Sequence, residues 1–139
     1  MTAFTDSIFF ICEKATMSSS ANQLLRQQMR ATRNRLPQQI QDQCGKSLVT
    51  HLIKQDFFHA AKHIGAYCAF DGEIPLHTLL FSEAMTDKTL LLPKILSESE
   101  KSMAFYPTTS DQELETNNWG IKEPQDQQDA QTSLDLILV

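Results

Sequence analysis

Apolar residues along the chain change their period at a few clear points. Between Ala21 and Leu36, Leu25, Met29, Thr32 and Leu36 recur at helical spacing, and Arg26, Arg30 and Arg33 form a neighbouring stripe. The segment predicts an amphipathic helix with an arginine edge, and the polar stretch from Ser18 to Ala21 can cap its start. Pro37 suits the first turn of a second helix. Ile40, Cys44, Leu48 and Leu52, four residues apart, are expected on its inner face, with the glutamine-rich run Gln38 to Gln43 solvated. Asp56 is placed to cap a short helical turn through Phe57, Phe58 and Ala61.

Beyond that point the period shortens. Ile64 to Phe70 is apolar on both alternating faces, as a central parallel strand covered on both sides would be. Asp71-Gly72-Glu73 ends it in a turn, and Pro75 opens a helix with Leu76, Leu79, Leu80 and Ala84 on one face. Thr89 to Leu92 predicts a second buried strand, closed by Pro93 because proline lacks a ladder donor. A turn over Ser97 to Lys101 leads to a third strand, Met103 to Tyr106. Asp111 to Asn118 reads as polar and loosely helical, and Trp119 to Pro124 as a loop anchored by the tryptophan. A polar connection, Gln125 to Ser133, precedes a last buried strand, Leu134 to Val139. The order α-α-β-α-β-β-β predicts an α/β fold, an open and mostly parallel sheet flanked by helices. Strand ends in such sheets normally pass into ligand-holding loops, so the fold is expected to be incomplete at its C-terminus.

Residues 1–17 stand apart. The apolar run Ile8 to Cys12 follows Asp6 and has no basic residue before it, so it does not fit a signal peptide. The stretch is either a genuine N-terminal strand or helix, or precedes an alternative start at Met17. The division expected is therefore an N-terminal extension, 1–17, and one α/β domain, 18–139.

Composition adds limits. A chain of 139 residues allows one domain, and no apolar run approaches the roughly 20 residues a bilayer span needs, so no membrane partner is expected. The net charge of −5 argues against a generally basic nucleic-acid binder. Yet Asn22 to Leu36 holds four arginines and no acid, leaving 8 basic against 17 acidic residues elsewhere, which points to a local anion site. The three cysteines, Cys12, Cys44 and Cys68, show no CxxC spacing; neither a disulfide framework nor a zinc knuckle is supported, and a reducing cytoplasm fits. His59 and His63 have a helical metal-pair spacing but no third ligand, so no metal site is assigned to the chain.

The arginine helix, the strand ending in Phe70-Asp71-Gly72-Glu73-Ile74, the Leu90-Leu91-Leu92-Pro93 strand, the Trp119-Gly120-Ile121-Lys122-Glu123-Pro124 loop and the Leu134-Asp135-Leu136-Ile137-Leu138-Val139 strand occur in one order. Together they resemble the 5-formyltetrahydrofolate cyclo-ligase (methenyltetrahydrofolate synthetase) family over about Ala21 to Val139, roughly the first two thirds of such an enzyme. The resemblance implies ATP-dependent closure of 5-formyltetrahydrofolate to 5,10-methenyltetrahydrofolate with Mg2+, in the cytoplasm. The family's glycine-rich phosphate loop would follow Val139, so this chain is expected to be an incomplete and inactive fragment, with a separate C-terminal chain as a conceivable partner.

The resemblance also implies site residues. Asn22-Gln23-Leu24-Leu25-Arg26 corresponds to the family's Lys-x-x-Leu-Arg, so Asn22 and Arg26 are the expected contacts to ATP phosphates, Asn22 standing in place of the lysine. A planar guanidinium suits phosphate oxygens. Glu73 matches the acidic residue the family sets against folate, where a carboxylate can accept from the pterin's amino and ring N–H groups. Cys68, five residues earlier, is expected to line the same pocket. Arg30 and Arg33 are expected to be structural or electrostatic, Lys94 solvated, and Glu123 a substrate-orienting or turn-capping group. The rival class is a non-catalytic module that binds folate or a partner; a nucleic-acid role for the arginine helix is disfavoured by the acidic remainder.

Overall fold

The computed structural model describes residues 19–125, 129–130 and 133–139. Ser18, part of the expected cap, and much of the 125–133 connection lie outside them, as do residues 1–17. The described helices are α1 (Ser19–Asn34), α2 (Gln38–Leu52), α3 (Asp56–Ala60) and α4 (His77–Leu80). The strands are β1 (His63–Gly65), β2 (Thr89–Ser97), β3 (Ser102–Pro107), β4 (Leu114–Thr116), β5 (Lys122–Pro124) and β6 (Leu136–Ile137). The main sheet runs β3-β2-β1-β6, with β1 parallel to β2 and β6, and β2 antiparallel to β3. A second, two-stranded sheet pairs β4 with β5. This is the expected α/β architecture, a mostly parallel sheet flanked by helices.

The core forms where the sheet meets α3 and α4. Ile64, Leu90 and Leu92 pack with Phe58, Leu76, Leu79, Leu80 and Val49 in one buried cluster. Each such side chain contributes roughly 1.5–3 kcal/mol of transfer free energy. Leu91, one step out of phase with Leu90 and Leu92, is also fully buried, so β2 is covered on both faces. β6 is fixed to β1 by Asp135, whose carboxylate accepts the backbone N–H groups of Lys62 and His63 at 2.8 Å each.

Several expectations give way to packing. The buried face of α2 is Gln41, Gly45 and Val49, whereas Ile40, Cys44 and Leu48 are exposed. Gly45 decides this: a Cβ there would run into the carbonyl oxygen of Pro75, so only glycine lets α2 lie so close to the segment before α4. Pro93 does not end β2. The oxygen of Leu90 accepts from Thr108 beyond β3, and that of Leu91 accepts from Ala66 after β1. Alternation therefore turns Pro93 toward the β1 side, past the last β1 pair at Gly65 and Leu91, where no ladder donor is required. Gln55, not Asp56, stands at the N-cap of α3. After a single 3-10 turn, the 111–118 segment supplies β4 rather than a helix. Trp119 is exposed rather than a buried anchor; the loop is held by Asn117, whose Oδ1 accepts from the N–H groups of Trp119 and Ile121 at 3.0 Å each. Lys94 is buried, not solvated: its Nζ lies 2.7 Å from Glu115 Oε1 and donates to Pro124 O at 3.0 Å, joining β2 to the β4–β5 hairpin.

Candidate functional site

The turn after β1 is built to meet α1. Asp71 and Gly72 have φ of 51° and 78°, the positive pair that a type I′ turn requires, and Glu73 N–H closes it on Phe70 O at 3.1 Å. Two α1 side chains grip Asp71: Arg30 Nε lies 2.9 Å from Oδ2, and Asn34 Nδ2 donates to Oδ1 at 2.7 Å. Gly72 fits beneath them, since a Cβ there would fall 3.0 Å from Arg33 Cβ. Gln41 of α2 donates to the carbonyl oxygens of Arg33 and Leu36, fixing the end of α1 from the other side. The arginine edge thus ends as a docked element, not a free helix.

Between that turn, α1 and the sheet lies a cavity of about 720 Å³. Its walls are Ala66 and Tyr67 after β1, Pro93 of β2, Met103 and Phe105 of β3, Leu138 and Val139 after β6, and Arg33 and Leu36 from the α1 end. It therefore sits at the carboxyl ends of the parallel strands, the usual ligand position of an open α/β sheet, and its size suits a small organic ligand. Of the 13 lining residues only Arg33, Tyr67 and Glu73 carry polar side chains. Tyr67 spans the loop, its hydroxyl donating to Ile74 O at 2.9 Å. Burial, and then the Glu73 carboxylate, push its pKa above the ordinary tyrosine value, so it stays a neutral phenol. Glu73 Oε2 accepts the N–H of Phe70 at 3.1 Å, which fixes the carboxylate at the rim. Arg33 Nε is buried and has no hydrogen-bond partner among the described residues.

Cys68 does not line the cavity that Glu73 lines. It lines a separate cavity of about 410 Å³ with Pro75, His77, Asp111 and Lys122. Burial raises its thiol pKa, Lys122 partly opposing and Asp111 adding to the shift, so nothing activates it as a nucleophile. Asn22 and Arg26 are exposed on α1, away from the cavity wall; Arg26 is two helical turns, about 10 Å, before Arg33. Glu123 is buried in the β4–β5 hairpin, where it accepts from Asn117 Nδ2 at 3.0 Å, a turn-holding role. His59 lies in the last turn of α3 while His63 begins β1, so the pair shares no helix. A smaller cavity of about 360 Å³ beside Lys88 and Thr89 offers less, because Lys88 Nζ is already spent on the oxygens of His59 and Ala61. Two polar groups that line the cavity, Tyr67 and Arg33, were not among the expected ligand contacts. The first was discernible from the period-2 alternation that separates it from Cys68; the arginine stripe does not single out the second.

The sequence model of the 5-formyltetrahydrofolate cyclo-ligase family matches residues 18–139. The chain belongs to this family. Its fold is similar to the NMR structure of 5,10-methenyltetrahydrofolate synthetase from Aquifex aeolicus, with a TM-score of 0.72 and 25% identity. The similarity covers 84% of this chain and 59% of that one, so the chain spans less than two thirds of its structural relative. No curated protein sequence matches it significantly. No helix among the described residues is long and apolar enough to cross a membrane.

Proposed function

We propose that the chain carries the folate-binding part of an ATP-dependent 5-formyltetrahydrofolate cyclo-ligase. The observation that carries this reading is the apolar cavity at the strand ends with Glu73 fixed at its rim. A pterin bicycle matches such a space: its faces need apolar walls, and its amino and ring N–H groups need an acceptor. In the proposed reaction the formyl oxygen takes the γ-phosphoryl group of ATP, releasing ADP. N10 then attacks the activated formyl carbon and inorganic phosphate leaves, closing the ring. An unactivated N-formyl group is a poor electrophile, so the protein's task is to hold phosphate and formyl in line and to neutralise charge.

Arg26 and Asn22, exposed along α1, are the proposed phosphate contacts. Asn22 brings no charge, so the phosphate side is weaker than the folate side. Mg2+ would come with the ATP phosphates; among the described residues no three His, Cys, Asp or Glu gather to hold it separately. The rival reading, folate binding without turnover, is favoured by that imbalance between a built folate cavity and a sparse phosphate contact.

The two readings separate in one experiment. The chain is mixed with 5-formyltetrahydrofolate, ATP and Mg2+, alone and with a C-terminal segment of a family member carrying the glycine-rich loop, and methenyl product is followed by absorbance. Binding alone, with product only after the segment is added, supports the proposal. Turnover by the chain alone at the rate of an intact enzyme would move the phosphate site into these residues. Binding with no product under either condition would favour the non-catalytic module.

A further inference from the structure

The two faces of the main sheet are covered unequally. Register sets Pro93 opposite Phe105, Ile95 opposite Met103, and Gly65 opposite both Leu91 and Ile137. Residues directly opposite each other point their side chains to the same face. A Cβ built on Gly65 would lie 3.2 Å from Phe105 and 3.6 Å from Ile137, which places those two side chains on one face. The other face, with Leu90 and Leu92, packs on Val49 of α2, Phe58 of α3 and Leu79 and Leu80 of α4.

No described helix lies along the first face. α1 reaches it at its C-terminal end, where Arg33 and then Leu36 border the cavity; the side chains of α1 from Ser20 to Thr32 are exposed. What remains is an apolar rim of four exposed side chains, Ile95, Met103, Ile137 and Leu36. Parallel strands carry helices on both faces, because both rows of their side chains are apolar and each row must be buried. β2, β1 and β6 are parallel, and one of their two faces has its helices. The Aquifex aeolicus synthetase has the same fold in a longer chain: the match takes in 59% of it, so part of that polypeptide has no counterpart here.

We propose that the rim formed by Met103, Ile95, Ile137 and Leu36 is the docking surface for an amphipathic helix, supplied by the part of a synthetase polypeptide that has no counterpart in this chain. Such a helix would set an apolar stripe against the strands and its polar face to water. Because Met103, Ile137 and Leu36 also line the large cavity, the docked helix would roof it. The inference stands apart from the folate reading, since it concerns which surface the rest of the fold covers and not what the cavity holds.

The test co-expresses the whole chain with a tagged C-terminal segment of the Aquifex aeolicus synthetase and measures how much chain is recovered on the tag. Met103→Glu sets a carboxylate on the rim. Phe57→Glu, on α3 at the other face, alters an apolar side chain of similar exposure, 55% against 58%. The unmutated chain and Phe57→Glu are recovered one to one with the segment. Met103→Glu is recovered in an amount smaller by roughly 10-fold or more, because docking would bury an unpaired charge. Absence of a complex with the unmutated chain, or equal loss in both variants, overturns the proposal. Should Met103→Glu fail to fold, the chemical shifts of the unmutated chain decide the matter. Changes at Met103, Phe105 and Ile137 on forming the complex support the docking surface, and changes confined to Leu25 and Met29 of α1 or to α2 overturn it. Sedimentation of the chain alone provides the remaining arm: a dimer that Met103→Glu returns to monomer would make a second copy the occupant, and the proposal would fall.

Discussion

Two glycines share one backbone conformation and differ in their surroundings, which makes them a matched pair. Gly72 has φ of +78° and Gly120 has φ of +80°. Alanine at either position is forced into the left-handed region, at a cost of roughly 1–2 kcal/mol. At Gly120 the new methyl meets only Phe70 Cε2, at an ordinary 3.5 Å, so the dihedral term is the whole cost. At Gly72 it falls 2.6 Å from Asn34 Oδ1, 3.0 Å from Arg33 Cβ and 3.1 Å from the Arg33 carbonyl carbon. Two of those atoms are the Cβ and backbone of a helix, so relief requires α1 to move away. That motion stretches the Arg30 and Asn34 contacts to Asp71. Overpacking of this kind adds about 1–3 kcal/mol, for a total of roughly 2–5 kcal/mol. Urea unfolding of Gly72→Ala and Gly120→Ala, with circular dichroism as the probe, measures the difference directly. Gly72→Ala should also bind 5-formyltetrahydrofolate more weakly, because Arg33 and Glu73 lose their common frame. Equal shifts in urea midpoint for the two variants, with unchanged folate affinity in both, would refute the docking of α1 on the Asp71 turn.

Three further outcomes are expected. In the presence of the glycine-rich segment, Arg26→Ala raises the KM for ATP well beyond that for folate and Asn22→Lys lowers it; an unchanged ATP response to both would remove α1 from the phosphate site. Asp135 is held below the ordinary carboxylate pKa by the backbone N–H of His63, then that of Lys62. A lowered folded pKa gives stability that is present above the unfolded value, about 3.9, and lost as pH falls through the folded value. The protection of the Leu138 amide, which donates to Gly65 O, relative to its intrinsic exchange rate should therefore fall below about pH 4, and Asp135→Asn should lower it at neutral pH. Lys94→Met removes the cation 4.0 Å from Glu123, itself only 8% exposed; the loss should be about 3–5 kcal/mol, concentrated in the β4–β5 hairpin, with folate affinity unchanged.

The hydrophobic pattern located the helices and the main-sheet strands, because period reports which face is buried. It failed where a small or polar residue takes the buried place. On α2 the apolar stripe Ile40, Cys44 and Leu48 outscored Gln41, Gly45 and Val49, yet contact distance at Gly45, not side-chain hydrophobicity, sets the face. Pro93 misled because a missing donor matters only on the paired side of a strand. Lys94 was read as a surface cation because its partners, Glu115 and Pro124, lie 21 and 30 residues away and come together only in the folded hairpin. In the candidate site, Glu73 was legible from the Asp71-Gly72 turn beside it. Arg33 was not, because membership of an arginine stripe does not tell which guanidinium faces solvent, Asp71 or a cavity. Cys68 and Tyr67 are adjacent in sequence, and alternation sends them to different cavities.

The folate assignment turns on one carboxylate, so the most direct measurement is a titration of the unmutated chain and of Glu73→Gln with 5-formyltetrahydrofolate, read by intrinsic fluorescence or calorimetry. Saturable binding at one site per chain is expected, weakened in Glu73→Gln by about 1–3 kcal/mol, roughly 5- to 150-fold, with the unfolding midpoint little changed. Equal affinity in the two proteins, or no binding by the unmutated chain, would contradict the placement of the pterin against Glu73.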